Sequence, residues 1–344
     1  MSAEEIHAVL PAVAAVCIET REPIEVDGDL SDAAWGQAVA VSGFTISGTE
    51  ELADNQTSMR LLRDGEALYV GVRCQERQMT SLKADARGPD ARVWNDDCVE
   101  IFFDPEHTHE GFLQLAVNSI AAKYDGKVGI GTWEADWQAA TSTDDDGWTV
   151  ELRIPFASLG IEPPVEGTVW GFNLCRERLA GGSRELHNWA NVQANFHRPW
   201  LFGHLYFAGQ QFELTPEVAA RLYAAVGFPT RLYVREGYAL VTAQEVAQRR
   251  TYQELVAEAL AGAAELSEMR EELLRTYVRG ADAPYAEEFK SLDRRYRPLR
   301  AAAASREPVA PLRWAEATVQ LGRLTREMHD LTWKVKIALL LRDA

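Results

Sequence analysis

The stretch Trp94-Asn95-Asp96-Asp97-Cys98-Val99-Glu100-Ile101-Phe102-Phe103-Asp104 joins an acidic, turn-forming lead to a run of β-branched and aromatic residues. Successive side chains of a strand point to opposite faces, so Val99, Ile101 and Phe103 form one apolar face and leave Cys98, Glu100 and Phe102 on the other. Two later runs repeat this alternation. Trp148, Val150, Leu152 and Ile154 point inward, as do Trp170, Phe172 and Leu174, which turns Glu151, Arg153, Asn173 and Cys175 outward. Leu68 to Val72 and Leu113 to Val117 are further short runs bounded by Gly, Asp, Asn and Pro. From about Val13 to Ala208 this spacing predicts an antiparallel β-sandwich. Its second face is expected to be polar and to carry Glu100, Asn118, Glu151, Arg153 and Asn173, whereas Trp35, Trp148 and Trp170 are expected in the core.

Beyond Phe212 the apolar period changes from two to about three and a half. Tyr285, Phe289, Leu292, Tyr296 and Leu299 step by four and three, and Ala317, Leu321, Leu324, Met328, Leu331, Val335 and Ala338 continue the pattern. A further helix is expected from about Thr242 to Val278, with breaks at Asp282 to Pro284 and Glu307 to Pro311. The fold class is therefore mainly β plus α. A lead-in covers 1–12, the β-sandwich 13–210, and an α-helical hairpin or three-helix bundle 211–344.

The 344 residues have ordinary globular composition, 47% hydrophobic and 25% charged, and no uninterrupted apolar run long enough for a membrane helix. The net charge of −17 is unevenly spread: up to Gln210 there are 15 Lys and Arg against 33 Asp and Glu, and after it 20 against 19. So acidic a first part repels phosphate backbones, which argues against nucleic acid as a ligand. Cys17, Cys74, Cys98 and Cys175 form no C-x-x-C pair and sit in apolar runs, as buried free thiols do. In the opening MSAEEIHAVLPAVAAVC, acidic residues stand where a secretory signal would be basic, so no signal peptide is read there.

Four separated blocks make the first part resemble the family 9 carbohydrate-binding modules and the related DOMON-like β-sandwich domains. They are Ile24 to Trp35, with Asp27-Gly28 and Trp35; Trp94 to Asp104; Gly147 to Phe156 followed by Trp170-Gly171-Phe172-Asn173; and His197 to Phe207, with Pro199 and Phe202-Gly203. The resemblance implies a sandwich that binds sugars without breaking them, accessory to polysaccharide recognition or degradation in an extracellular or periplasmic setting. Its implied partner is an oligo- or polysaccharide of xylan or cellulose type, clamped at its end between two aromatic rings. A pyranose presents an apolar C–H face for stacking, and its hydroxyls need fixed partners at the rim. By position Trp94 matches the first ring and Glu100 the hydroxyl-accepting carboxylate. Phe196 or Trp189 supplies the second ring, and Asn118, Asn173 and Arg153 are the expected orienting groups. The sequence departs from the family where a sugar-holding Arg falls on Ala116 and a rim Gln on Cys175.

Other chemistries have weaker footing. Some relatives bind calcium structurally, and oxygen-rich turns occur at Asp27 to Asp32, Asp104 to Glu110 and Asp144 to Asp146, without EF-hand spacing. Glu100 and Glu151 invite comparison with a glycosidase pair, but Glu151 lies in a scaffold block. A haem-carrying relative would use Met59, Met79, His187 or His197 as axial ligands. The competing class is a structural or protein-interaction module that keeps the sandwich and self-associates or binds a protein through the helices.

Overall fold

The computed structural model describes residues 11–128, 133–193, 195–243, 245–276, 285–304 and 307–342. The chain divides into two compact units, 1–249 and 250–344. In the first lie β1 (Ala12–Glu19), β2 (Thr45–Ile46), β3 (Thr57–Arg63), β4 (Ala67–Gln75), β5 (Cys98–Asp104), β6 (Leu113–Asn118), β7 (Lys123–Lys127) and β8 (Gln138–Asp144). They are followed by β9 (Gly147–Pro155), β10 (Val169–Arg178), β11 (Glu185–Asn188), β12 (Gly203–Phe207), α1 (Pro216–Val226), β13 (Thr230–Val234), β14 (Gly237–Val241) and β15 (Val246–Thr251), within which the division falls.

The expected sandwich is present, and one strand belongs to both of its sheets. The first sheet runs β7-β6-β5-β10-β12-β1 and the second β3-β4-β9-β8. Ala14 to Cys17 pair with His204 to Phe207 on β12, whereas Ile18 and Glu19 pair with Leu62 and Arg63 on β3. These β1 pairings are parallel, an exception to the antiparallel ladders elsewhere in both sheets. The inward residues predicted by alternation are buried: Val99, Ile101, Phe103, Val150, Leu152, Ile154, Phe172 and Leu174, together with Trp35, Trp148 and Trp170. All four cysteines are free and buried.

The polar second face needs correction. Glu100, Asn118 and Asn173 lie on the first sheet, but Glu151 and Arg153 lie on β9 of the second. Alternation fixes the side of a strand and says nothing of the sheet to which that strand belongs. Nor is this face solvated on β5, where all seven residues are buried because loops cover them. Glu151 is a scaffold group. Its Oε2 accepts the backbone N–H of Asp27 (3.0 Å) and Gly28 (3.0 Å), and its Oε1 accepts Trp35 Nε1 (2.8 Å). Gly28 is required there: φ is +88°, and a Cβ would lie 2.7 Å from the Thr141 backbone.

A buried ion pair that the apolar pattern did not foretell ties the sheets together. Arg176 follows the inward parity of β10, opposite Val99, and is fully buried. Its Nη2 meets Glu76 Oε2 at 3.0 Å and its Nη1 donates to Gln75 O at 2.8 Å at the end of β4. Arg178 grips the same carboxylate through Nε (2.8 Å) and Nη2 (2.9 Å). Both carboxylate oxygens are engaged, which is what makes a fully buried charge tolerable.

The division falls after Arg249 and not after 210, because the intervening segment completes the first unit. Thr230 to Leu232 pair with Ala12 to Ala14 of β1, and β14 pairs with β13. α1 begins at the Thr215 cap with Pro216 in its first turn and stops at Gly227 (φ +79°). The helix expected from Thr242 is instead strand β15 up to Thr251, whose side chain and Glu254 form a capping box. The second unit then holds α2 (Tyr252–Gly262), α3 (Ala264–Thr276), α4 (Ala286–Ala304) and α5 (Pro311–Arg342). The expected third helix is thus present in two pieces, and the break expected at 282–284 lies outside the described residues. The stepped residues Phe289, Leu292, Tyr296, Leu299, Leu321, Leu324, Met328, Leu331 and Val335 form one core with Val256, Leu266 and Leu273.

Glu76→Ala leaves two buried guanidinium groups without their anion. We expect a loss of about 3–5 kcal/mol of stability, read as a lower denaturant midpoint at unchanged slope. A loss below about 1 kcal/mol would mean that solvent replaces the carboxylate.

Candidate functional site

The covered face of β5 opens into a cleft of about 340 Å³. Glu100 stands in its floor, beside Ala116 on β6 and Cys175 on β10. Gln114, two residues before Ala116 and on the same face, donates Nε2 to Glu100 Oε2 at 2.6 Å. Glu177, two residues beyond Cys175, enters from the other neighbouring strand. Aromatic walls rise on either side: Trp94 with Tyr124, and Phe196 with His197. Leu186 and Asn195 complete the lining.

Trp94 is half-buried, and its ring meets the edge of Tyr124 at 5.0 Å and 89°. Below both rings lies a small apolar patch of Val93, Cys98, Ala116 and Ala122. Ala116 is the position where the resemblance would place an arginine, and Tyr124 is its cross-strand neighbour. A Cβ at Gly126 would lie 2.7 Å from the Tyr124 hydroxyl, so the phenol extends over a glycine. Phe196 is buried against Phe102, with ring centroids 6.4 Å apart.

The acidic lead before β5 works as a set of staples. Asp96 Oδ2 accepts Ala86 N (2.8 Å) and Asn118 Nδ2 (2.9 Å), and Asp97 accepts Lys83 N (2.8 Å) and Leu179 N (3.0 Å). These bonds fix the short turn Val93–Asn95 that carries Trp94. Asn118 is therefore a positioning residue beneath the cleft. Asn173 plays the same part for the opposite wall, giving Nδ2 to Ala190 O (3.1 Å) and taking Ala190 N (2.9 Å). Neither amide lines the cleft, and both are fully buried.

Two expected ligand-holding residues lie elsewhere. Arg153 is on the second sheet, between Tyr69 Oη (3.2 Å) and Glu66 Oε2 (3.3 Å). Trp189 is buried, packing on Phe172 (5.8 Å) and Tyr233 (6.0 Å). Of the two candidates for the second ring, Phe196 is the one at the cleft. The structure thus brings together Trp94, Glu100 and Phe196, and adds Gln114, Tyr124, Glu177 and His197. Gln114 and Glu177 were readable from parity, since each lies two residues from a position already placed on the outer face.

The floor is electrostatically unusual. Burial pushes the Glu100 carboxyl up to about 8, and the negative charge of Glu177 adds to the effect. Burial also raises Glu177, against the pull of Arg184, which is ion-paired with it. Burial together with their like charge disfavours ionising both carboxyls at once. Tyr124 is raised by burial and by Asp90, Asp125 and Glu100, whereas desolvation holds His197 below its ordinary range. Among the described residues no group of three or more His, Cys, Asp or Glu side chains is set to hold a metal ion. Of the residues weighed for haem, Met59 is buried in β3, His187 is paired with Glu185 at 3.1 Å, and His197 stands at the cleft.

Because Glu100 binds its proton more tightly folded than unfolded, its contribution to stability is full below about pH 4.5 and is lost as pH rises through about 8. Glu100→Gln should remove this slope. The stability difference, wild type minus variant, is expected to fall steadily across that window in denaturant titrations, and a difference independent of pH would refute the raised carboxyl.

The family model for carbohydrate family 9 binding domain-like proteins matches residues 26–210. Among solved structures, a family 9 carbohydrate-binding module from Caldicellulosiruptor kristjanssonii in complex with cellotriose is similar at 20% identity and a TM-score of 0.45. The match covers 59% of this chain and 100% of that one. A structure of such a module from the same organism in complex with glucose gives 21% identity and a TM-score of 0.46 over the same shares. No curated protein matches.

Proposed function

This chain belongs to the carbohydrate family 9 binding domain-like family, and from that membership we propose that its first unit binds a saccharide, without cleaving it, in the cleft of Trp94, Glu100 and Phe196. The observation that carries this reading is the convergence in one cleft of two aromatic side chains and a hydrogen-bonding carboxyl. Stacking of a sugar's C–H face on Trp94, with Tyr124 buttressing the indole, contributes the apolar part. Phe196 closes the opposite wall, and Glu100 with Gln114 orients the hydroxyls. Membership of a binding-domain family supports a binding role over hydrolysis. We further propose that the ligand is a cello- or xylo-oligosaccharide end and that the module is accessory to polysaccharide recognition.

Titration with cello- and xylo-oligosaccharides, followed by tryptophan fluorescence or calorimetry, tests this. Trp94→Ala should weaken binding at least about tenfold, or ~1.4 kcal/mol, with little change in the melting curve. Unaltered affinity would sink the site.

For the second unit, one observation favours a protein-contact role. Trp333, Ile337, Leu340 and Leu341 leave an exposed apolar stripe on α5. If it mediates self-association, light scattering of the full chain should show a larger species that Leu340→Glu with Leu341→Glu reduces to monomer. A wild-type chain that is already monomeric would overturn this second reading.

A further inference from the structure

The donors that face the floor of the cleft are already engaged. Gln114 Nε2 is bound to Glu100 (2.6 Å), and Arg184 is divided between Glu177 and the carbonyl of Trp94 (3.2 Å). Burial and the like charge of Glu177 favour the protonated form of Glu100. What the floor offers in surplus is acceptor capacity, because two carboxyl groups provide more lone-pair sites than these donors fill. Asp90 and Asp125 add negative charge around Tyr124, and Arg184 is the cation beside the pair. His197, lowered by desolvation, brings no positive charge near neutrality.

Resting on the saccharide-binding reading above, we propose that the preferred occupant of this cleft is a sugar bearing a protonated amine, a glucosamine-type unit, with its ammonium seated against Glu100 and Glu177. A neutral hydroxyl leaves Glu100 dependent on its own proton, because an uncompensated buried carboxylate is costly. An ammonium supplies three N–H donors and a full charge, so it takes the place of that proton in charge-assisted hydrogen bonds. The displaced proton passes from Glu100 to the solvent, and no covalent bond changes. The indole of Trp94 adds a cation-attracting face beside the same position.

The experiment compares fully deacetylated chitotriose, its N-acetylated counterpart and cellotriose on the full chain by calorimetry near pH 6.5, in two buffers of different ionisation enthalpy. The deacetylated sugar should bind about tenfold or more tightly than cellotriose, release protons on binding, and lose that advantage on N-acetylation. Glu177→Gln should shrink the ratio between the amine and neutral sugars. Proton release in the wild type provides a readout that does not depend on how well this variant folds. If cellotriose binds through Trp94 and the amine sugar binds no better, the amine preference is wrong while saccharide binding stands. If none of the sugars binds in a Trp94-dependent way, both readings fail. Amine binding that survives Trp94→Ala would be attraction to an acidic surface and would equally overturn the assignment to this cleft.

Discussion

The desolvation of one carboxyl group governs the first unit. Glu100 sits at 3% exposure on a strand buried along its whole length, where an isolated carboxylate would be prohibitively unstable. The Gln114 amide on β6 donates to it, burial favours its protonated form, and Arg184 beyond β10 offsets the like charge of Glu177 on β10. None of these operates unless the register of β6, β5 and β10 is held, and that register is fixed on the inner face by Val99, Ile101, Phe103, Phe172 and Leu174. The apolar core and the polar cleft are therefore the two faces of one ladder.

The polar residues of the same region divide between holding the cleft and lining it. Asp96, Asp97, Asn118 and Asn173 turn their side chains to backbone amides and carbonyls of the covering loops. Such bonds satisfy loop groups that cannot reach a strand partner, and buried loops exist only where this is achieved. Glu76 does the corresponding work between the sheets, where two arginines converge on it. Counting acidic residues in the motif would overstate the cleft's charge. Only Glu100 and Glu177 among these carboxyls reach its lining.

The alternation of apolar residues was legible because burial on one face is a property of each strand alone. That is why the core parity of β5, β9 and β10 agrees with the structure. Sheet membership depends on long-range pairing, so Glu151 and Arg153 were grouped with Glu100 although they lie on the other sheet. The cover over the outer face is likewise non-local, and it turned Asn118 and Asn173 from surface amides into buried clamps. Not every miss was of this kind. The Thr215-Pro216 start and Gly227 stop of α1 are written in local residues. The helical stepping further along the chain nevertheless places the sequence boundary too early, at 210.

The acidity of the first unit raises the question of whether the cleft's preference for positive charge is merely a reflection of the whole surface. Charge density alone would act on any cation, but its reach is limited to about 8 Å at physiological ionic strength. Glu100 and Glu177 feel each other and Arg184, Gln114 donates to Glu100, and for both carboxyls the leading effect is burial. Desolvation strengthens the pairwise attraction at the floor while salt weakens it at the surface. Selectivity arising in the cleft should therefore persist in salt that abolishes weak surface attraction, and it should depend on the aromatic wall. The same burial that makes Glu100 hold a proton is what gives its charge, once the proton leaves, an unscreened hold on a ligand.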